Sequence, residues 1–170
     1  MTPAGSAGAA RLHILGDATP TEAALFLVSS LLVSHGIRGN TAAAVRLGKR
    51  WVIARGDRIR HLRPDLDTAE GWVRAALRGR SVGAILSEEP PSPIGDVYVV
   101  TEGPCNIHSQ SLEILLGFPL TLCYTRTGDC PLDAPIAGII QAPGPPWLAA
   151  AIVNVALDRL EASLDPCPAP

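Results

Sequence analysis

Thr19-Pro20-Thr21-Glu22, followed by the apolar run Ala23 to Val33, restricts the fold of this chain more than any other stretch. Threonine supplies a helix cap, proline suits the first helical position, and Glu22 is placed to complete a capping box. A helix from about Pro20 to Val33 is therefore predicted. Ala23, Ala24, Leu25, Phe26, Leu27, Val28, Leu31, Leu32 and Val33 cover almost its whole circumference, so it must be buried on more than one side. That places it between a sheet and a second layer. Ser29 and Ser30 interrupt the run, which is also too short to cross a bilayer.

The segments around this helix alternate between strand and helix patterns. Leu12–Leu15 and Thr41–Leu47 read as strands. Arg50–Ala54 and Ile59–Leu62 flank the turn residues Gly56 and Asp57, which predicts a β-hairpin. Asp67 then caps a second helix with Glu70 three residues on. Its apolar face is Ala69, Trp72, Val73, Ala76 and Leu77, and Gly79 ends it. A loop stiffened by Pro90, Pro91 and Pro93 leads to a strand at Val97–Val100. A short helix follows at Gln110–Leu116, then strands at Leu120–Tyr124 and Ile136–Ile140. Ala142-Pro143-Gly144-Pro145-Pro146 opens a last helix, about Trp147 to Ala162, apolar on the face of Leu148, Ala151, Ile152, Val155 and Leu160. Small apolar residues, Ala149, Ala150, Val153 and Ala156, occupy its other side. The pattern is that of an α/β fold. A chain of 170 residues makes one domain, residues 11–162, between flexible tails at 1–10 and 163–170.

Composition narrows the function classes. The formal charge of −2 and 47% hydrophobic residues describe a globular chain without the basic face expected of a dedicated nucleic-acid binder. Cys105, Cys123, Cys130 and Cys167 have no CxxC spacing and no secretory signal ahead of them. They read as reduced thiols of a cytoplasmic protein, with no membrane span and no metal. Cys105 and His108 lie three apart, but no third ligand or orienting acid accompanies them.

Exposed polar groups concentrate at Arg63-Pro64-Asp65, where the hairpin hands over to the second helix, and at Ser34-His35-Gly36-Ile37-Arg38. Loops held by a rigid scaffold are where binding and catalytic residues gather. Each has a plainer reading beside the functional one. Arg63 and Asp65 can pair and cap the helix, although Asp67 already fits the cap. His35 can serve as a dipole partner at a helix C-terminus. Gln141 to Gly144 can be a turn dictated by proline and glycine, or can line a ligand crevice at the strand ends of an α/β sheet.

The order of these motifs resembles the SPOUT superfamily of S-adenosylmethionine-dependent RNA methyltransferases, most closely the archaeal tRNA pseudouridine N1-methyltransferases. The resemblance rests on Ser34-His35-Gly36-Ile37-Arg38 after a long apolar helix, the turn Arg63-Pro64-Asp65, the helix Ala69–Leu77 and Val97-Tyr98-Val99 after a proline-rich loop. It continues more weakly through Leu112-Glu113-Ile114-Leu115, Thr127-Gly128-Asp129 and Asn154-Val155-Ala156-Leu157-Asp158. It implies a SPOUT-like sheet flanked by helices, a C-terminal trefoil knot, and a homodimer packed through the C-terminal helix. By the same resemblance Asp65 and Arg63 are catalytic. Arg38, His35 and Ser34 bind a nucleoside or RNA substrate, and Ile140, Gln141, Ala142, Gly144 and Leu148 hold S-adenosylmethionine. The chain departs from the pattern at Gly36, Gly39 and Asn40, where charged or polar residues are common, and about one βα unit seems missing before the final strand. The implied activity is N-methylation of a pseudouridine-like nucleoside. The alternative is a SPOUT-like protein without methyl transfer, acting as a dimeric binding module or through different chemistry in the remaining pocket.

Overall fold

The computed structural model describes residues 9–34, 36–80, 83–106 and 119–164. The predicted helix Gln110–Leu116, His35, and nearly all of both predicted tails lie outside the described residues. Strand β1 (Arg11–Leu15) has all five residues buried and leads into α1 (Pro20–Leu31). The capping box forms as expected: the Thr19 side chain accepts from the Glu22 N–H and Glu22 reaches back to the Thr19 N–H.

α1 stops two residues before the predicted end, because Leu32–Val33 (β2) turns extended and pairs antiparallel with Gly36–Ile37 (β3). Arg38 fixes this ending. Its backbone N–H donates to the Leu31 carbonyl and its guanidinium to the Leu32 carbonyl, satisfying acceptors that the helix end leaves open.

The hairpin lies earlier than predicted. Thr41–Leu47 (β4) pairs antiparallel with Arg50–Arg55 (β5) across Gly48-Lys49, with Gly48 at φ 62°. A positive φ at the first turn position is what a tight hairpin asks of glycine. Gly56 does not turn the chain back into the sheet. Its N–H bonds to the Thr41 carbonyl while its Cα presses on the Arg38 carbonyl, where no Cβ would fit. The stretch 59–62 therefore leaves the sheet and tucks Ile59 and Leu62 into the core. The strand that does pair with β5 is Ala84–Ser87 (β6). Between them runs α2 (Leu66–Leu77), capped by Asp65 and not by Asp67: Asp65 Oδ1 accepts from the Thr68 N–H at 2.9 Å.

Asp96–Glu102 (β7), Leu120–Tyr124 (β8), Ile136–Ala142 (β9) and the helix α3 (Pro146–Leu164) complete the described fold. The seven-stranded sheet has the order β6-β5-β4-β1-β8-β7-β9. Strands β4, β1, β8, β7 and β9 are mutually parallel, and β5 and β6 add antiparallel pairings at one edge. The sheet is continuous, with β8 hydrogen-bonded between β1 and β7 and β9 beside β7.

All three described helices pack on one face of the sheet. There Phe26 and Leu27 of α1, Trp72 and Val73 of α2, and Val153 and Leu157 of α3 form one core with Val45, Val52, Leu122, Tyr124 and Ile140. α1 is buried on several sides because the sheet lies beneath it and α2 and α3 flank it within the same layer, and among the described residues Glu22, Leu25, Val28 and Ser29 form its half-buried outer strip. On the other face, Leu12, Ile14, Trp51, Ile53, Val97 and Cys123 cluster with Leu132 from the β8–β9 connection. The buried side of α3 is its small one, Ala149, Ala150, Val153 and Ala156, so Val155 points outward, 44% exposed.

Candidate functional site

The chain leaves β1 toward the helical face, whereas after β8 it turns to the other face, where Leu132 packs. Two adjacent parallel strands whose exits diverge open a crevice outside their carboxyl ends. A pocket of about 400 Å³ lies there. Its walls are the β1–α1 loop with Asp17, the start of α1 with Glu22, Arg46 near the end of β4, the β8 loop from Tyr124 to Pro131, and Pro146 and Trp147 at the start of α3.

Two ion pairs brace this pocket. Arg46 grips Asp17 with both fork nitrogens, Nε to Oδ1 at 2.9 Å and an Nη to Oδ2 at 2.6 Å. Asp17 sits at φ 39°, a left-handed conformation unusual for a residue other than glycine. Arg126 reaches from the β8 loop to Glu22 at 2.6 Å. The Thr19 N–H, more than the Arg126 guanidinium, holds the Glu22 carboxyl below its usual range. Asp129 differs from both acids, accepting from the Thr127 hydroxyl at 3.1 Å. The loop itself turns on the Thr125 hydroxyl, which accepts from the Thr127 and Gly128 N–H groups.

The pocket floor is tied to a buried polar cluster. Tyr124 is 2.9 Å from His13 Nδ1 through its hydroxyl, and the two rings stack. His13 is fully buried, and burial, followed by the charges of Arg11 and Arg38, pushes its pKa down to about 3. Arg11 contacts Asn154, Asp158 and Glu161 of α3, and Arg38 donates to Asp158 at 2.6 Å. Despite partial burial, these two guanidiniums hold the Asp158 carboxyl below its ordinary value.

The residues singled out in the sequence fall into three places. Asp65 and Arg63 are exposed side by side at the start of α2. The Asp65 carboxyl lies below the usual range through its hydrogen bonds with Thr68, with a smaller contribution from Arg63. Glu70, one turn on, accepts from Thr21 at 2.5 Å, so this junction stands beside the start of α1 without entering the pocket. Ser34 and Arg38 lie at the opposite end of α1, a helix of twelve residues and thus about 18 Å long. Ser34 is exposed in the β2–β3 turn, while Arg38 is engaged by Asp158 and the α1 carbonyls.

The third group, Ile140, Gln141, Ala142, Gly144 and Leu148, does gather around the end of β9. The Gln141 N–H donates to Asn106 Oδ1, the Asn106 N–H to the Gln141 carbonyl, and the Gly103 N–H to the Ala142 carbonyl. Gly144 adopts φ 82°, in the left-handed region that favours glycine, beside the Leu148 side chain. Ile140 and Ala142 are fully buried. From this segment it is the adjoining Pro146 and Trp147 that reach the pocket.

Sequence reasoning missed Asp17, Arg46 and Arg126 altogether, and read Glu22 only as a helix cap. It also read four reduced thiols, yet Cys123 and Cys130 form a disulfide with Cα atoms 5.7 Å apart, within the span such a bridge requires. Cys105 is free and exposed. Among the described residues, no helix is long and apolar enough to cross a membrane, and no group of three or more His, Cys, Asp or Glu side chains could hold a metal ion.

Fold and pocket together define an α/β protein with a mostly parallel sheet and a crevice outside the carboxyl ends of two of its strands. No protein-family model matches the chain, and no curated protein matches it either.

Proposed function

We propose that the chain is an S-adenosylmethionine-dependent N-methyltransferase of SPOUT type, acting on a pseudouridine-like nucleoside in RNA or as a small free molecule. The carrying observation is the pocket at the diverging β1 and β8 exits, bordered by Pro146 and Trp147, which adjoin the residues that the sequence resemblance assigns to the cofactor without those residues themselves lining it. Its volume falls within the range of small-molecule sites. Its side chains also suit such a cofactor. Trp147 and Asp129 stand outside the two ion pairs and offer an aromatic ring to a heterocycle and a carboxylate to a cationic group, whereas a ligand that meets Asp17, Glu22 or Arg126 has to share or displace the Asp17–Arg46 or Glu22–Arg126 pair.

Bound there, S-adenosylmethionine would supply an electrophilic methyl group. The chain's part is then positioning, since methyl transfer needs the acceptor nitrogen held in line. In this reading Asp65 accepts the proton from an imide-like nitrogen and Arg63 offsets charge on a carbonyl oxygen or holds a phosphate. The resemblance gives Ser34, His35 and Arg38 to the substrate side, although Ser34 and Arg38 lie at the far end of α1 from the pocket. The homodimer belongs to the same proposal, supported by the outward Val155 and the half-exposed Ala151 and Ile152 on α3. The trefoil knot belongs to it too, as part of what the resemblance implies.

One observation favours a second reading. Arg63 and Asp65 stand outside the pocket, and Arg38 is spent on Asp158, so the pocket can bind a ligand without the machinery for methyl transfer. Titration calorimetry and thermal shift with S-adenosylmethionine and S-adenosylhomocysteine separate the two. Binding of both, with methyl transfer to a pseudouridine nucleoside, supports the enzyme. Binding without transfer supports the binding module, and neither heat nor shift at millimolar ligand refutes the cofactor assignment.

A further inference from the structure

We propose that Cys123 and Cys130 form a thiol-exchange site, attacked at Cys130 by a small dithiol, that latches and releases one wall of the pocket. The proposal does not depend on the methyltransferase reading. Cys123 is fully buried on β8, with Ile14 of β1 and Val99 of β7 as its register partners. Cys130 is half-buried and lines the pocket. The bridge thus joins the rigid centre of the sheet to the rim of the cavity.

The segment it encloses is the pocket wall itself. Tyr124, Thr125, Arg126, Thr127 and Asp129 all face the cavity, and Arg126 spans it to Glu22. From Thr125 to Pro131 every residue is half-buried or exposed, between the buried Tyr124 and the buried Leu132. The remaining bonds within the loop, those of Thr125 and Thr127, are exposed to water. Exposed hydrogen bonds and few buried contacts mark a segment that opens easily, so beyond the Thr125 N–H bond to the Val100 carbonyl and the exposed Arg126–Glu22 pair, the disulfide is its covalent anchor.

Burial also sets the direction of exchange. Cys130 is half-buried at the pocket lining while Cys123 is fully buried, which places the attack at Cys130 Sγ in this proposal. Attack by a thiolate forms a mixed disulfide at Cys130 and breaks the bond between the two protein sulfurs. Cys123 leaves as a thiolate and takes up a proton. The second thiol of the reagent then displaces Cys130 and closes the reagent's own disulfide. Two electrons pass from the dithiol to the protein pair, and a disulfide reagent reverses the sequence.

Tryptic cleavage after Arg126, inside the bridged loop, reads the latch without any ligand. With the native full-length chain, treatment with dithiothreitol should speed cleavage at Arg126 on the order of tenfold, as expected when proteolysis follows local opening, while cleavage at Arg159 on α3 changes little. Native alkylation should label Cys105 before reduction, and Cys130 ahead of Cys123 after it. Cys130→Ser should be cleaved at the fast rate with or without the reagent, and Cys105→Ser should behave as the parent. Labelling of Cys130 without reductant, or an Arg126 cleavage rate in the parent chain that reduction leaves unchanged, would overturn the proposal.

Discussion

Acidification from pH 7 to pH 5 should destabilise this protein by about 2 kcal/mol through His13 alone. In the unfolded chain His13 titrates near 6.5, whereas in the fold its pKa is about 3, chiefly because it is fully buried and then because Arg11 and Arg38 stand near. Between these values the unfolded state binds a proton that the native state refuses, so stability rises with pH and is lost as pH falls through 6.5. Each unit inside that window costs about 1.4 kcal/mol, and the first half unit near pH 6.5 costs less because titration there is partial. The loss saturates only below about pH 3. Glu22, Asp65 and Asp158, whose folded values are lowered from 4.5 and 3.8, lose their contributions on further acidification, as pH falls below their ordinary values toward the depressed folded ones. Measurements between pH 7 and 5 therefore lie above these carboxylate transitions, and the His13 variant identifies the histidine's share. Urea unfolding at pH 7, 6 and 5 should show the midpoint falling for the parent chain. His13→Gln, which keeps a hydrogen-bonding group toward Tyr124 Oη, should flatten that slope. An equally acid-sensitive variant, or a His13 imidazole that titrates near 6.5 by NMR, would refute the argument.

Two further substitutions test residues with competing roles. Asp65→Ala removes the α2 cap and should lower the melting temperature by roughly 2–4 °C, while Asp65→Asn should nearly retain it, because asparagine caps as well as aspartate. If methyl transfer exists and Asp65→Asn abolishes it with the melting temperature preserved, the carboxylate has a role beyond the cap; unchanged activity would remove it from the mechanism. Asp158→Asn leaves the Arg11 and Arg38 guanidiniums, only 3% and 10% exposed, without the carboxylate they share. The expected cost by denaturant titration is about 2 kcal/mol, below that of a fully buried pair because Asp158 itself meets solvent, and a cost under about 0.5 kcal/mol would mean that the pairs are ordinary surface contacts.

What could be read from the sequence was decided locally. The Thr19–Glu22 capping box, the stop at Gly79, the strand Thr41–Leu47 and the proline entry to α3 depend on residues within a turn of one another. The errors arose where a distant contact decided between similar local signals. Gly48-Lys49 and Gly56-Asp57 are both plausible hairpin turns; the carbonyl of Arg38 pressing on Gly56 excludes the second, and nothing near Gly56 announces it. Asp65 and Asp67 both stand where a cap can form, and the N–H that a carboxylate reaches is settled by the path from Leu62, itself anchored in the core. The pocket was illegible for a stronger reason. Asp17, Glu22, Arg46, Arg126 and Trp147 come from four separate connections, and only the strand order brings those connections together. Without knowing that β8 lies beside β1, no spacing in the chain pairs Arg126 with Glu22.

That strand order also links the pocket to the far end of the sheet. The start of α3 walls the cavity with Pro146 and Trp147, while two to three turns later the same helix presents Asn154 and Asp158 to Arg11 and Arg38. β1 makes the parallel link, since Arg11 lies in the cluster, His13 meets Tyr124, and Leu15 reaches the pocket. A rigid helix and a rigid strand thus span both regions. Arg38 can matter to the pocket without touching a ligand, because loss of its pair with Asp158 would loosen the seat of α3. Impaired binding in an Arg38 variant would then show as a shared loss of stability and affinity, whereas a direct substrate contact would cost affinity with stability intact. The structure, in which the Arg38 side chain is 10% exposed and paired with Asp158 of α3, favours the shared loss.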